Sequence, residues 1–162
     1  MNLEIELSKP TVIYGVGAPG SGKTTKLRPY AQEIGAAYLN PDEIRKSVLG
    51  DEFNRIDDNL VWDILNTSVK LALKASRHVV VDAKNNDPNY RRQDTASYKQ
   101  YGAQKVVAVY FKRKLEACLA NNQRRTRPIP EEDVKKVHQS LEQYPPQQSE
   151  GFDEVVELEL DD

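Results

Sequence analysis

The chain has 162 residues, 30% of them Asp, Glu, Lys or Arg, with a formal net charge of −2. That length suits one domain built on a sheet with helices on both faces, and the near-neutral balance excludes polyanion binding by a whole-molecule field, leaving only local basic patches. A single cysteine, Cys118, excludes an internal disulfide, the Met1-Asn2-Leu3-Glu4 start has neither the basic nor the apolar part of a signal peptide, and no apolar run approaches the ~18 residues of a membrane span, so a soluble cytoplasmic protein is expected.

Strand and helix signals alternate along the sequence. Thr11-Val12-Ile13-Tyr14-Gly15-Val16 is a β-branched run that predicts a strand. A glycine-rich turn leads into a helix predicted over 24–33, its second turn perturbed by Pro29. Residues 36–40 predict a short second strand, and Pro41 opens a helix through Ile44, Arg45 and Leu49. The polar stretch 51–58 reads as a loop. Val61, Ile64, Leu65, Val69 and Ala72 then recur at helical spacing across 59–75. His78-Val79-Val80-Val81-Asp82 is a continuous apolar run ending in a carboxylate, the pattern of a central parallel strand. A helix over 88–101 closes near Gly102, a strand follows over 105–111, and another helix over 114–122. Residues 124–130 resist regular structure, 131–144 predict a further helix, and Pro145-Pro146 separate it from a final alternating strand over 155–160. The last thirteen residues hold seven carboxylates and no Lys or Arg, a solvated edge. Such alternation implies a mostly parallel sheet with ligands at its carboxyl edge.

The turn after the first strand, Gly17-Ala18-Pro19-Gly20-Ser21-Gly22-Lys23-Thr24, matches G-x-x-x-x-G-K-[ST] without departure. Its glycines allow consecutive N–H groups to converge on phosphate oxygens. Lys23 brings a positive charge to the β- and γ-phosphates, the Thr24 hydroxyl suits a Mg²⁺ ligand, and the helix continuing through Thr25 aims its positive end at the same phosphates. A chance glycine turn is the competing explanation; a strand before it and a helix after it argue for a nucleotide site. The fold class implied is α/β, a P-loop NTPase-like three-layer sandwich.

Three further patches bear on chemistry. Asp42, just past the second strand, is placed to accept the proton of an attacking hydroxyl, and Arg45, three residues on, to clamp an acceptor phosphate; equally, an aspartate after proline in a first helical turn is favoured by the helix dipole alone. Asp82 ends its strand where a carboxylate sits near Mg²⁺ or substrate, or serves merely as a turn residue. Arg124-Arg125-Thr126-Arg127 lies between helices and reads as part of a helical lid, about 121–144, over phosphates, or as a solvated basic loop. His78, His138 and Cys118 show no metal spacing. Trp62 and most tyrosines read as packing; Tyr38 and Tyr90 stand apart as possible base-stacking rings.

Taken in order, these segments resemble the 5′-hydroxyl polynucleotide kinase domain of bacteriophage and bacterial RNA-repair enzymes and the small P-loop kinases around it. The resemblance runs from Thr11 to Leu160. Its specific parts are Asn40-Pro41-Asp42-Glu43-Ile44-Arg45, similar to the family's S/N-x-D-x-x-R, Val80-Val81-Asp82-Ala83-Lys84-Asn85, similar to V-D-A-T-N, and Asn121-Asn122-Gln123-Arg124-Arg125-Thr126-Arg127, similar to the arginine-bearing lid. Glu150-Gly151-Phe152-Asp153 followed by Val155 resembles the family's ending.

The resemblance implies that Asp42 is the general base for a 5′-hydroxyl of DNA or RNA and that Arg45 grips the adjacent 3′-phosphate. It implies that Asp82 organises the acceptor side, and that Arg124 or Arg127 touches the donor phosphates, Arg124 matching best with its register open by one at Arg125. Lys84 departs from the family's threonine, which makes acceptor recognition the weakest part of the transfer. The expected donor is ATP or another nucleoside triphosphate with Mg²⁺, and no phosphatase or ligase domain fits in this length. Two competing expectations remain: a kinase of a small molecule, zeta-toxin-like or gluconate-kinase-like, which the net charge mildly favours, and an ATP-driven switch acting on a partner.

Overall fold

The computed structural model describes residues 3–160. The strands are β1 (Thr11–Val16), β2 (Ala37–Leu39), β3 (Val79–Asp82), β4 (Lys105–Lys112) and β5 (Glu154–Glu159). They form one parallel sheet in the order β2-β3-β1-β4-β5. Every residue of β1 and β3 is buried, as a strand covered on both faces requires, and this explains the Val79–Val81 run and the paired Val12 and Ile13 of β1.

The helices are α1 (Lys23–Ile34), α2 (Pro41–Leu49), α3 (Asp58–Lys74), α4 (Pro88–Gln100), α5 (Leu115–Gln123) and α6 (Glu131–Gln143). On one face of the sheet, Ile13, Val80, Val107 and Val109 pack against Leu27, Tyr30 and Ala31 of α1. On the other, Val12, Val81 and Ala108 meet Leu65 and Val69 of α3, Tyr98 of α4 and Val134 and Leu141 of α6. Strand residues alternate between these cores because successive side chains point to opposite faces. Each buried Val or Leu contributes roughly 1.5–3 kcal/mol of transfer free energy. Gly15 lets α1 approach β1 directly, since a Cβ there would lie 2.5 Å from Leu27 Cδ1. The result is the three-layer α/β sandwich that the element order implied.

The differences from expectation are local. Pro29 lies within α1 and the helix runs on past it. β2 is three residues long, paired only with β3 at the sheet edge, so its flanking Ala36 and Asn40 leave the ladder. β5 begins at Glu154, and its carboxylates are partly paired across the ladder, Lys105 with Glu154 at 3.2 Å and Lys112 with Glu159 at 3.6 Å. Among the described residues no helix is long and apolar enough to cross a membrane.

Arg91 is the largest fully buried side chain. Its guanidinium donates to both oxygens of Glu150, at 2.7 and 2.8 Å, and to the carbonyls of Asn85 and Tyr144. That clamp ties α4 to the turn before β5 and fixes the backbone just beyond β3.

Candidate active site

Sheet register brings the chemistry together. Gly15 pairs with Asp82, and Leu39 with Val81, so the phosphate-type loop after β1, the carboxylate ending β3 and the residues after β2 share one edge. They line a cleft of about 1110 Å³. That volume suits a nucleotide together with part of a second substrate.

The loop is braced from below. Gly17 N–H donates to the Lys84 carbonyl at 3.1 Å, Asn85 Nδ2 to the Gly15 carbonyl at 2.7 Å, and Asn121 Nδ2 to the Gly20 carbonyl at 2.9 Å. Gly20 adopts φ +83°, and a Cβ there would lie 2.2 Å from the Cys118 carbonyl oxygen, so no side chain fits. Gly22 caps α1 in the left-handed region with no side-chain hydrogen bond. No acidic residue occupies the first turn of α1, whereas α2 and α6 carry Asp42 and Glu43, and Glu131, Glu132 and Asp133 there. The positive end of α1 is thus left to a ligand anion. Ser21 Oγ is buried within the loop with no hydrogen-bond partner among the described residues, as in a cradle built for oxygens from outside. Lys23 is buried too. Burial lowers its pKa, while Asp82 and then Asp42 oppose the shift.

A run of hydrogen bonds links this loop to α2. Thr24 Oγ1 donates to Asp82 Oδ2 at 2.8 Å, and the Tyr38 hydroxyl donates to the same oxygen in a short contact. Asn40 Nδ2 donates to the Tyr38 oxygen at 3.2 Å, and Asn40 Oδ1 accepts from the Asp42 N–H at 2.9 Å, capping α2. Burial and the neighbouring Asp82 raise the Tyr38 pKa, so its proton stays on the bond. Tyr38 is therefore engaged at both its hydroxyl and its ring, which carries the Arg28 guanidinium at 4.9 Å, and it is not a free stacking platform.

Asp42 faces the cleft about half exposed, and Arg45 Nη1 donates to its Oδ1 at 2.8 Å. Arg45 is itself buried, with Nε and Nη2 both on Asp58 Oδ1 at 3.0 and 2.6 Å. The guanidinium expected to grip an acceptor phosphate lines the cleft and also braces Asp42 and Asp58. Asp82, assigned to the acceptor side, contacts Thr24 on the loop side. Lys84 opens into the cleft; partial burial and then Arg55 lower its pKa, against Asp42 and Asp133.

The three arginines divide. Arg124 and Arg125 line the cleft. Arg127 turns away to pair with Asp51 at 3.0 Å and lie over the Phe53 ring at 4.3 Å. Their segment is anchored at its base by buried Asn122, which donates to the Ile129 carbonyl at 2.6 Å and accepts from its N–H at 3.0 Å. Cleft residues without a role in the sequence reading include Arg113, Arg55 and Asp94, while Trp62, read as packing, both packs and lines the cleft. Arg113 follows β4 at the ligand edge, a position that signals a site; Arg55 and Asp94 carry no such mark. Thr24 Oγ1 and Asp82 supply hard oxygen donors of the kind Mg²⁺ takes, with substrate phosphates completing the set.

Residues 12–144 match the family model described as AAA domain, and the chain belongs to that family. No curated protein matches it significantly. Among solved structures it is similar to a chain of the Pnkp1/Rnl/Hen1 RNA repair complex, at 24% identity and TM-score 0.75 over 83% of this chain and 45% of that one. It thus spans under half the length of that neighbour. It is also similar to a gluconokinase from Sinorhizobium meliloti, at 18% identity and TM-score 0.61 over 94% and 84% of the two chains. A sugar kinase from Janibacter is 18% identical with TM-score 0.64, over 94% and 86%. The fold is that of the P-loop kinases.

Proposed function

We propose that the protein moves the terminal phosphoryl group of ATP, or another nucleoside triphosphate, onto the 5′-hydroxyl end of DNA or RNA. The observation that carries this reading is Asp42, held by Arg45 in the same cleft as Lys23 and the loop. Asp42 accepts the proton as the hydroxyl oxygen attacks the γ-phosphorus and the bond to the β-phosphate oxygen breaks. Lys23 and the loop amides hold the donor phosphates. Arg124, with Arg125 beside it, neutralises the transferring group. Thr24 and Asp82 would hold the magnesium ion, which supplies charge neutralisation on the donor phosphates when bound. We assign the acceptor phosphate to Arg45 together with Lys84 and Arg55, all three of which line the cleft.

The order of motifs and the likeness to an RNA-repair chain support a polynucleotide acceptor. A small-molecule acceptor is the second reading, supported by the gluconokinase and sugar-kinase likenesses. One assay separates them: protein, γ-labelled ATP, a 5′-hydroxyl oligonucleotide and gluconate together. Label on the oligonucleotide is expected. Label on the sugar acid alone replaces this reading with the second, and label on free phosphate alone leaves an ATPase.

A further inference from the structure

The two ends of the cleft differ in chemistry. Around the loop the side chains are cationic: Lys23, Arg113, Arg124 and Arg125. Toward α3 and α4 the wall is made by Trp62 and Asn66, four apart on α3, and Tyr90, Gln93 and Asp94 on one face of α4. None of these five is a lysine or arginine. Asp94 is held from the sheet side, where the Tyr14 hydroxyl donates to its Oδ2 at 2.6 Å. Tyr14 itself is fully buried, with ring centroids 5.4 Å from Phe152 and 6.1 Å from Tyr98. Partial burial raises the Asp94 carboxyl to about 6, against the pull of the Tyr14 hydrogen bond. A carboxylate so placed weakens the fold near neutral pH, and a cleft is where such a group points to ligand recognition.

We propose that this end of the cleft holds the uncharged ring attached to the acceptor hydroxyl and reads its hydrogen-bond donors, so that in a polynucleotide it selects the first base and favours guanine. The inference rests on the 5′-hydroxyl reading above. These five residues give a phosphate one like charge and no cation of their own, whereas Trp62 and Tyr90 are aromatic side chains of the kind that stacks on a flat ring. An ionised carboxylate only accepts hydrogen bonds. Guanine presents two adjacent donors on its pairing edge, N1–H and the N2 amine, that match the two oxygens of Asp94. Adenine and cytosine place an acceptor nitrogen beside their amine. Thymine and uracil flank one N–H with two carbonyls, which a carboxylate repels.

The test uses the full chain and four 5′-hydroxyl oligonucleotides differing only in the first nucleotide. The expected kcat/KM is about tenfold higher for guanine than for thymine, the discrimination of one good paired contact. Asp94→Asn keeps the side-chain shape and an acceptor for Tyr14, and should bring that ratio close to one. Trp62 is the only tryptophan, so its fluorescence reports guanosine binding over thymidine without turnover, and the same preference and the same loss are expected there. Equal rates on all four ends, or a preference that survives Asp94→Asn, overturns the inference and leaves the polynucleotide reading standing. If no oligonucleotide takes label, the reading fails and the inference with it.

Discussion

The donor and acceptor walls of the proposed reaction are made in opposite ways. The donor wall is backbone: a contiguous loop whose amides, glycine conformations and helix end do the binding, with Lys23 and Thr24 added at its close. The acceptor wall is side chain: Asp42, Lys84, Arg55, Trp62 and Asp94 come from five separate segments that the parallel sheet brings to one edge. A wall of amides tolerates few substitutions and recognises any triphosphate. One of side chains can be retuned residue by residue, which is where the proposed function puts substrate choice.

Substitutions on each wall test whether the two act separately. Arg124→Ala, which removes charge from the transferring group, should lower kcat by about 10³-fold or more. An equal loss in Arg125→Ala would mean the two act as a pair. Asp42→Ala should lower transfer by roughly 10²–10⁴-fold while triphosphate affinity, measured by calorimetry, stays unchanged. A parallel loss of affinity would show that the walls are not separate. Arg45→Met should lower kcat by about 10²-fold through misplacement of Asp42, with KM for the triphosphate constant. A rise in that KM instead would make Arg45 part of the donor wall.

The smallest effect concerns stability. The raised Asp94 pKa, about 6 against ~3.9 in an unfolded chain, means that the folded protein holds this proton more tightly. The associated stabilisation is full below about pH 4 and is lost as pH rises through 6. Tyr14 and Tyr98 are the titratable neighbours that feel this carboxyl, and both keep their protons far above that range. Asp94→Asn should therefore melt at higher temperature than the parent at pH 7.5, with the gap closing by pH 4. A constant gap across that range would mean that burial of Asp94 is not the cause.

Legibility in the sequence followed the same division. The loop could be read because its residues are adjacent and match one motif, and β1 and β3 because strands buried on both faces are rich in valine and isoleucine. Asp42 was readable from its place beyond a strand, but not the strut under it, since Asp58 lies a loop away and its pairing with Arg45 is a tertiary fact. The split of the arginines had no local sign either, because Arg127 is drawn off by Asp51 and Phe53 from another loop. Asp94 looked like any polar residue of a helix. The one hint was Tyr14, a buried phenol hydroxyl in the middle of a mostly apolar strand, which had to find a partner somewhere.

Tyr38 has a consequence larger than its size. Its oxygen stands between the carboxylate that takes the Thr24 hydroxyl and the amide that caps α2, so in the proposed reaction a single phenol would help set the spacing between the base and the phosphate loop. A rigid gauge of that kind lets the two halves of a reaction be assembled separately in the fold yet arrive at one fixed separation.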